Sequence, residues 1–249
     1  MKNILLALLV FNTFALMAEE PDSSKVKKEK KELTAEQTAK KVRINNAFNK
    51  FSRDRFAIDF LGTNWIHDGA NGFKTKWYSR GINVYFYWDF RIKQSRFSFA
   101  PGIGYSATNI YSRHAMKEDS ASVTYFEALP NPDEYKVNKV TLQYIDIPLE
   151  FRIKTNPDKL DNVWKFAIGF KAGIRVDAHT KTRIKNANGT KVFVERRFPD
   201  FSLFHAGPTL RIGYSSFNIT AYYGIIGVFK KDLGPKANAF SVGISFNGL

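Results

Sequence analysis

Between Gly81 and Ile92 the chain alternates without a break. Ile82, Val84, Phe86, Trp88, Phe90 and Ile92 are large and apolar, whereas Gly81, Asn83, Tyr85, Tyr87, Asp89 and Arg91 are small, polar or amphipathic. Successive side chains of a β-strand point to opposite faces, so this segment has one greasy face and one wet face. It is longer than an average soluble strand and matches the roughly 9–11 residues that a tilted strand needs to cross a bilayer. What the chain can fold into then depends on how often the pattern recurs and which face points inward.

It recurs seven more times, which predicts eight strands. The others begin at or near Phe56, Phe97, Ile145, Trp164, Phe204, Phe217 and Phe240. Their connections alternate in length. Lys93 to Ser95, Thr155 to Val163 and Ser215-Ser216 are short, whereas Ser112 to Asn138 and Asp177 to Asp200 are long and polar. In an up-and-down meander all tight turns then lie at one end and all long loops at the other, the asymmetry of outer-membrane barrels with short periplasmic turns and long extracellular loops. Val192-Phe193-Val194 reads as strand continuing above the membrane, and Asn188-Gly189 as a hairpin turn.

The remaining composition fits that class and excludes others. Met1 to Ala18 has a lysine, an apolar run and a small residue before Glu19, the pattern of a secretory signal peptide. Residues 19–52 form a charged periplasmic linker, with a capping-box pattern at Thr34 and Gln37 that predicts a helix over about Ala35 to Asn49. The barrel is expected over 53–249. No internal run approaches the roughly 20 apolar residues of a spanning helix. There is no cysteine, hence no disulfide framework and no thiolate metal site. The formal charge of +15 is spread over the N-terminal segment and loops without any nucleic-acid-binding motif, so no nucleic-acid partner is expected.

Two features turn the polar face inward. A water-facing strand surface should carry Lys, Glu and Thr, yet this face holds Gly81, Gly102, Gly104, Gly169, Gly173, Gly207, Gly213, Gly224 and Gly243. Small residues suit the crowded interior of a narrow barrel. The aromatics also sort by height. Phe56, Trp88, Phe90, Phe97, Phe99, Phe151, Trp164, Phe166, Tyr214, Phe217 and Phe246 fall near the periplasmic ends, and Trp65, Tyr78, Tyr105 and Tyr111 near the other rim. Two belts are the interface anchors of a membrane barrel. The fold class is therefore all-β, an eight-stranded antiparallel up-and-down transmembrane β-barrel in the bacterial outer membrane.

Phe56 to Leu249 resembles the OmpA/OmpX-type eight-stranded barrels. The segment Tyr144-Ile-Asp-Ile-Pro-Leu-Glu resembles the Tyr-x-acid-aliphatic-Pro-Leu signature of the PorT-like outer-membrane β-barrel family of Bacteroidota. The closing strand, Phe240 to Phe246, is similar to the aromatic-ended last strand read by the barrel assembly machinery, although Asn247-Gly248-Leu249 trails it. The resemblance implies fold and location and raises a role in a secretion assembly; it implies no single activity.

Inside such a barrel Asp59, Asp89, Asp146 and Glu150 face Arg91, Arg152, Lys171, Arg175 and Arg211. Charges taken out of water must be paired, which predicts an ion-paired lumen that plugs the barrel, with a gated narrow pore as the alternative. A lipid-modifying enzyme would need a serine activated by a histidine. His205 lies on an inward phase with no serine two residues away, and His67, His114 and His179 lie in or beside loops without an evident Ser or Asp partner. No metal or cofactor is expected, the histidines being far apart. The basic loop residues Lys191, Arg196 and Arg197 are candidate contacts for lipopolysaccharide phosphates. The expected role is structural, adhesive or complex-forming, with outer-membrane lipids and other envelope proteins as partners and no prediction of oligomeric state. After detergent extraction, boiled and unboiled samples should migrate differently on a gel; equal mobility would exclude a barrel.

Overall fold

The computed structural model describes residues 55–249, except 68–72, 94, 121–122, 157–161, 187–188, 197–199 and 248–249. The predicted signal peptide, the predicted linker helix and Arg197 lie outside the described residues. The described residues form twelve strands: β1 (Phe56–His67), β2 (Arg80–Tyr87), β3 (Phe90–Arg91), β4 (Phe97–Tyr111), β5 (His114–Glu118), β6 (Thr124–Ala128), β7 (Tyr135–Lys154), β8 (Trp164–Asn186), β9 (Gly189–Glu195), β10 (Phe204–Tyr214), β11 (Phe217–Tyr223) and β12 (Ala237–Asn247). All pairings are antiparallel, and neighbours run β1-β2-β4-β7-β8-β10-β11-β12, with β3 completing the β2 wall against β4. The ring closes where β12 pairs β1 from Ala57↔Asn247 to His67↔Ala237. This is the eight-membered barrel. Closure leaves no open edge in the hydrocarbon layer, where each unpaired backbone group would cost several kcal/mol.

The apolar phase of every wall strand faces out. Ile82, Phe86, Trp88 and Phe90 are exposed on one wall, and Phe166, Ile168, Phe170 and Ile174 on another. The periplasmic aromatics touch along the rim: Phe97 stacks on Phe151 (5.5 Å), Trp164 meets Tyr214 (5.4 Å), and Phe217 meets Phe246 (5.7 Å). The inward phase is packed by pairing large residues with glycine. Tyr85 sits opposite Gly104 and Tyr87 opposite Gly102. A Cβ on Gly104 would lie 2.2 Å from the Tyr85 ring, so the tyrosine occupies the space a side chain would need.

The structure corrects the reading of the long loops. β7 and β8 run far beyond the bilayer, and β9 pairs the distal end of β8 from Thr180↔Glu195 to Asn186↔Gly189. Together they form a three-stranded blade outside the membrane. Much of Asp177 to Asp200 is therefore strand rather than loop, because β-branched and apolar residues continue past the lipid. Ser112 to Asn138 likewise contains the β5–β6 hairpin.

Trp65 is the second correction. It is not a rim anchor but only 3 % exposed, because it continues the inward phase of Ala57, Asp59, Leu61 and Thr63. Around it gather Phe73, Phe126, Phe201 and Phe229 at ring-centroid distances of 6.1, 6.4, 6.3 and 5.7 Å. Val140, Leu142 and Tyr144 of β7 complete this cluster. Hydrogen bonds bind the loops that supply it: Thr124 Oγ1 donates to Asp200 Oδ2 (2.6 Å), and the Lys230 amide donates to the Asp200 carbonyl (2.7 Å). The barrel thus carries a hydrophobic cap at its outer mouth. Trp65→Ala should cost the cap about 3–5 kcal/mol. We expect the outer loops to become protease-sensitive while the heat-modifiable mobility of the barrel persists, checked by limited proteolysis on seminative gels.

Candidate functional site: the ion-paired lumen and the outer blade

The inward phases of β1, β2, β7, β8, β10 and β12 converge on a buried charge cluster. Glu150 accepts from three strands at once. Tyr87 Oη donates to its Oε1 (2.8 Å), Arg152 Nε to its Oε2 (2.8 Å), and Arg211 Nε to its Oε1 (3.3 Å). Arg211 also reaches across the lumen to Asp59 Oδ1 (2.9 Å) and to the Ser245 hydroxyl. Asn83 Nδ2 holds the other Asp59 oxygen at 3.3 Å. Nearer the periplasm, Lys154 Nζ donates to Asp89 Oδ2 (2.9 Å), and Arg152 lies 3.9 Å from the same oxygen. Arg152 also stacks its guanidinium 4.3 Å from the Tyr87 ring centroid. This fork geometry satisfies several oxygens with one planar cation.

Toward the outer end the centre is Asp146, which has no solvent exposure. It accepts from Tyr85 Oη (2.9 Å) and lies 3.4 Å from Lys171 Nζ and 2.7 Å from His205 Nε2. Tyr222 Oη stands 3.1 Å from His205 Nδ1. A neutral imidazole meets both contacts with one N–H and one lone pair. Register explains how β7 and β10 meet although β8 lies between them. Asp146 is opposite Gly173, and Gly173 is opposite His205. A Cβ on Gly173 would fall 2.1 Å from Asp146 Oδ1 and 2.4 Å from His205 Nε2, so the hydrogen bond passes over the bare glycine. His205 does have an acidic partner, one that sequence spacing could not show because it lies two strands away. His179 has one as well, Asp177 at 2.6 Å.

Four carboxylates (Asp59, Asp89, Asp146, Glu150) thus meet four cations (Arg152, Lys154, Lys171, Arg211). Lys154 escaped the sequence reading, and Tyr85 and Tyr87, which that reading turned inward, were not counted in the charge network they join. Lys154 follows the last apolar residue of its strand, and tyrosine reads as amphipathic wherever it falls. Two predicted members also contact backbone at opposite ends. Arg91 Nε donates to the Ser95 carbonyl of the periplasmic turn (2.9 Å), and Arg175 Nη1 to the Phe201 carbonyl under the cap (3.0 Å). Between Asp146 and the cap remains a cavity of about 40 Å³, bordered by Thr63, Tyr144, Lys171, His205 and Tyr222, with room for little beyond water. Among the described residues no group of His, Asp and Glu is arranged to hold a metal ion.

Outside the membrane, β5 and the blade enclose a groove of about 730 Å³. His114, Asn138, Thr182, Phe193 and Arg196 line it, and burial pushes the His114 imidazole below its ordinary range. Arg196 therefore belongs to this groove, and Lys191, paired with Ile184, shares its axis-facing side. Arg211 is the most connected lumen cation, so its loss leaves Asp59 with only the neutral Asn83 amide and takes one of three donors from Glu150. Arg211→Met should destabilise the barrel by about 3–5 kcal/mol, read as a lower urea midpoint for unfolding in detergent micelles.

The comparisons with known proteins agree with this architecture. The family model described as outer membrane protein beta-barrel domain matches residues 40–230, well over half of the chain. No curated protein and no solved structure matches it. By its closed eight-stranded wall, its lipid-facing apolar band and this match, the chain belongs to the outer membrane protein β-barrel family and resides in the bacterial outer membrane.

Proposed function

We propose that the protein is a plugged, non-enzymatic barrel that anchors an envelope complex and engages its partner through the outer blade. The filled lumen carries this reading. Paired charges and tyrosines occupy the barrel from Asp89 to Asp146, and the Trp65 cluster covers its mouth, a packing that favours a plug over an aqueous pore. Eight strands leave room only for side chains. Catalysis of the Ser-His kind is disfavoured by the same packing: both ring nitrogens of His205 are engaged, by Asp146 and Tyr222.

What the lumen lacks in access the blade supplies. β9 has β8 on one side and no strand on the other among the described residues, and every residue of it is exposed. Its Val192-Phe193-Val194 core is apolar. An unpaired, apolar edge strand is a template for strand addition by another chain, the backbone supplying hydrogen bonds and the alternating side chains supplying selectivity. An extended segment of an envelope protein suits such an edge. A secretion assembly, raised by the PorT-like resemblance, is one complex of this kind.

The reading predicts no unitary conductance steps in planar bilayers, and a photo-crosslinking residue at Val192 should trap a discrete partner in intact cells. Val192→Lys with Val194→Lys, lysines being what blunts a strand edge, should abolish the crosslink without altering heat-modifiable mobility. Reproducible channel openings would favour the pore instead, and a crosslink indifferent to the lysines would exclude strand addition.

A further inference from the structure

One residue of β8 decides which side of the blade is basic. Below the membrane boundary the outward residues of β8 are even-numbered, from Trp164 through Ile174. Gln143 pairs Asp177 and Tyr144 pairs Arg175, so Val176 has no partner on β7 and forms a bulge. A bulge inserts one residue and reverses the phase of everything beyond it. Past Val176 the even residues Ala178, Thr180 and Thr182 face the axis with Leu142, Val140 and Asn138, their partners on β7. Lys181, Arg183 and Lys185 are thereby turned outward, onto the side continuous with the lipid-facing band. Without the bulge all three would point toward the barrel axis.

Neighbouring strands add to this side. Tyr111, Lys139 and Lys181 form one row across β4, β7 and β8, and Arg80 lies in the row below, opposite Asn109. Arg80 and Lys139 each place their cation 5.9 Å from the Tyr111 ring centroid. Like charges directly opposite each other on paired strands are unfavourable, yet Lys139 and Lys181 are directly paired. Lys139 Nζ donates to Asn109 Oδ1 (2.6 Å), a neutral acceptor. Lys181, Arg183 and Lys185 have no ion-pair partner among the described residues. Of the carboxylates beside these cations, Asp177 is taken by His179, and Glu134, whose carbonyl accepts from the Lys185 amide, takes its side-chain hydrogen bond from Asn131 Nδ2 (3.3 Å). A phosphate is what such a row of unneutralised cations beside a tyrosine accepts.

Height selects the source of that phosphate. Arg80 is two residues beyond the lipid-facing Ile82, whereas Lys181 is seven beyond Ile174. Lys181 lies six paired rows beyond the Ile145–Ile174 pair, Val176 being the bulge, so at roughly 3.3 Å per residue and a tilt of about 40° it stands about 15 Å above Ile174. The headgroup layer of a phospholipid is only about 5–7 Å thick on each side. The ladder therefore spans more than a phospholipid headgroup and fits the phosphorylated saccharide of an outer-leaflet glycolipid. We propose that Arg80, Tyr111, Lys139, Lys181, Arg183 and Lys185 form a site for the phosphate groups of lipopolysaccharide, on the lipid side of the blade and distinct from the β9 edge.

The test uses the full-length barrel in detergent micelles, with binding of purified lipopolysaccharide read by native mass spectrometry. Lys181→Glu with Arg183→Glu should weaken binding at least tenfold while heat-modifiable mobility, the check on folding, is kept. Lys191→Glu with Arg196→Glu, which reverses the same charge on the axis-facing side, should leave binding within twofold of the parent. Dephosphorylated lipopolysaccharide should bind the parent as weakly as intact lipopolysaccharide binds the Lys181/Arg183 variant. Equal losses from the two charge reversals would overturn the site, as would no loss from the first. Full competition by inorganic phosphate would overturn the assignment to a lipid.

Discussion

Burial of Glu150 and Asp146 is the constraint on which the rest of the barrel depends. Two carboxylates enclosed by a low-dielectric wall would each cost several kcal/mol if left alone. Their neutralisation requires Arg152 of the same strand, and Arg211, Lys171 and two tyrosine hydroxyls from three other strands, to arrive at hydrogen-bonding distance. Only one strand register brings them there. A slip of one residue in any of these strands would send its own charged or tyrosine groups into lipid and its lipid-facing Phe and Ile into the lumen. The charge cluster is thus a register lock as well as a plug.

The same demand accounts for the glycines. A lumen narrow enough to be filled by side chains cannot hold a Tyr and a second large residue in one row, so Tyr85 and Tyr87 lie over Gly104 and Gly102, and the His205–Asp146 bond crosses Gly173. Above the charges the solvent problem changes and so does the solution. There the loops need no ion pairs, and Trp65, Phe126, Phe201 and Phe229 seal the mouth by apolar packing. Polar filling in the wall and apolar filling in the cap leave the exterior as the place for recognition. The blade offers two surfaces there, an unpaired strand edge and a basic side.

Much of this was legible in the chain itself. The two-residue period of Gly81–Ile92 and its counterparts identified the walls, the strand number and the inward face, because alternation is a local property of each strand. It also placed Asp59, Asp89, Asp146, Glu150, Arg152, Lys171 and Arg211 on the inward phase. Trp65 was readable by the same parity, although its rim position and aromatic character point to an interface anchor. The extension of β7 and β8 beyond the bilayer was visible only as the Val192–Val194 fragment, since charged residues interrupt the apolar signal there without interrupting the strand.

The sequence alone determined that two-faced strands must close around a polar interior, since hydrogen bonds and hydrophobic transfer act on every residue in the same way wherever the strand lies. Tertiary structure decided which residues meet. His205 finds Asp146 across an intervening strand, Trp65 collects rings from loops far along the chain, and the Val176 bulge selects the side on which Lys181, Arg183 and Lys185 emerge. Each of these depends on inter-strand register. Register is a property of pairs of strands, and no single stretch of sequence encodes it.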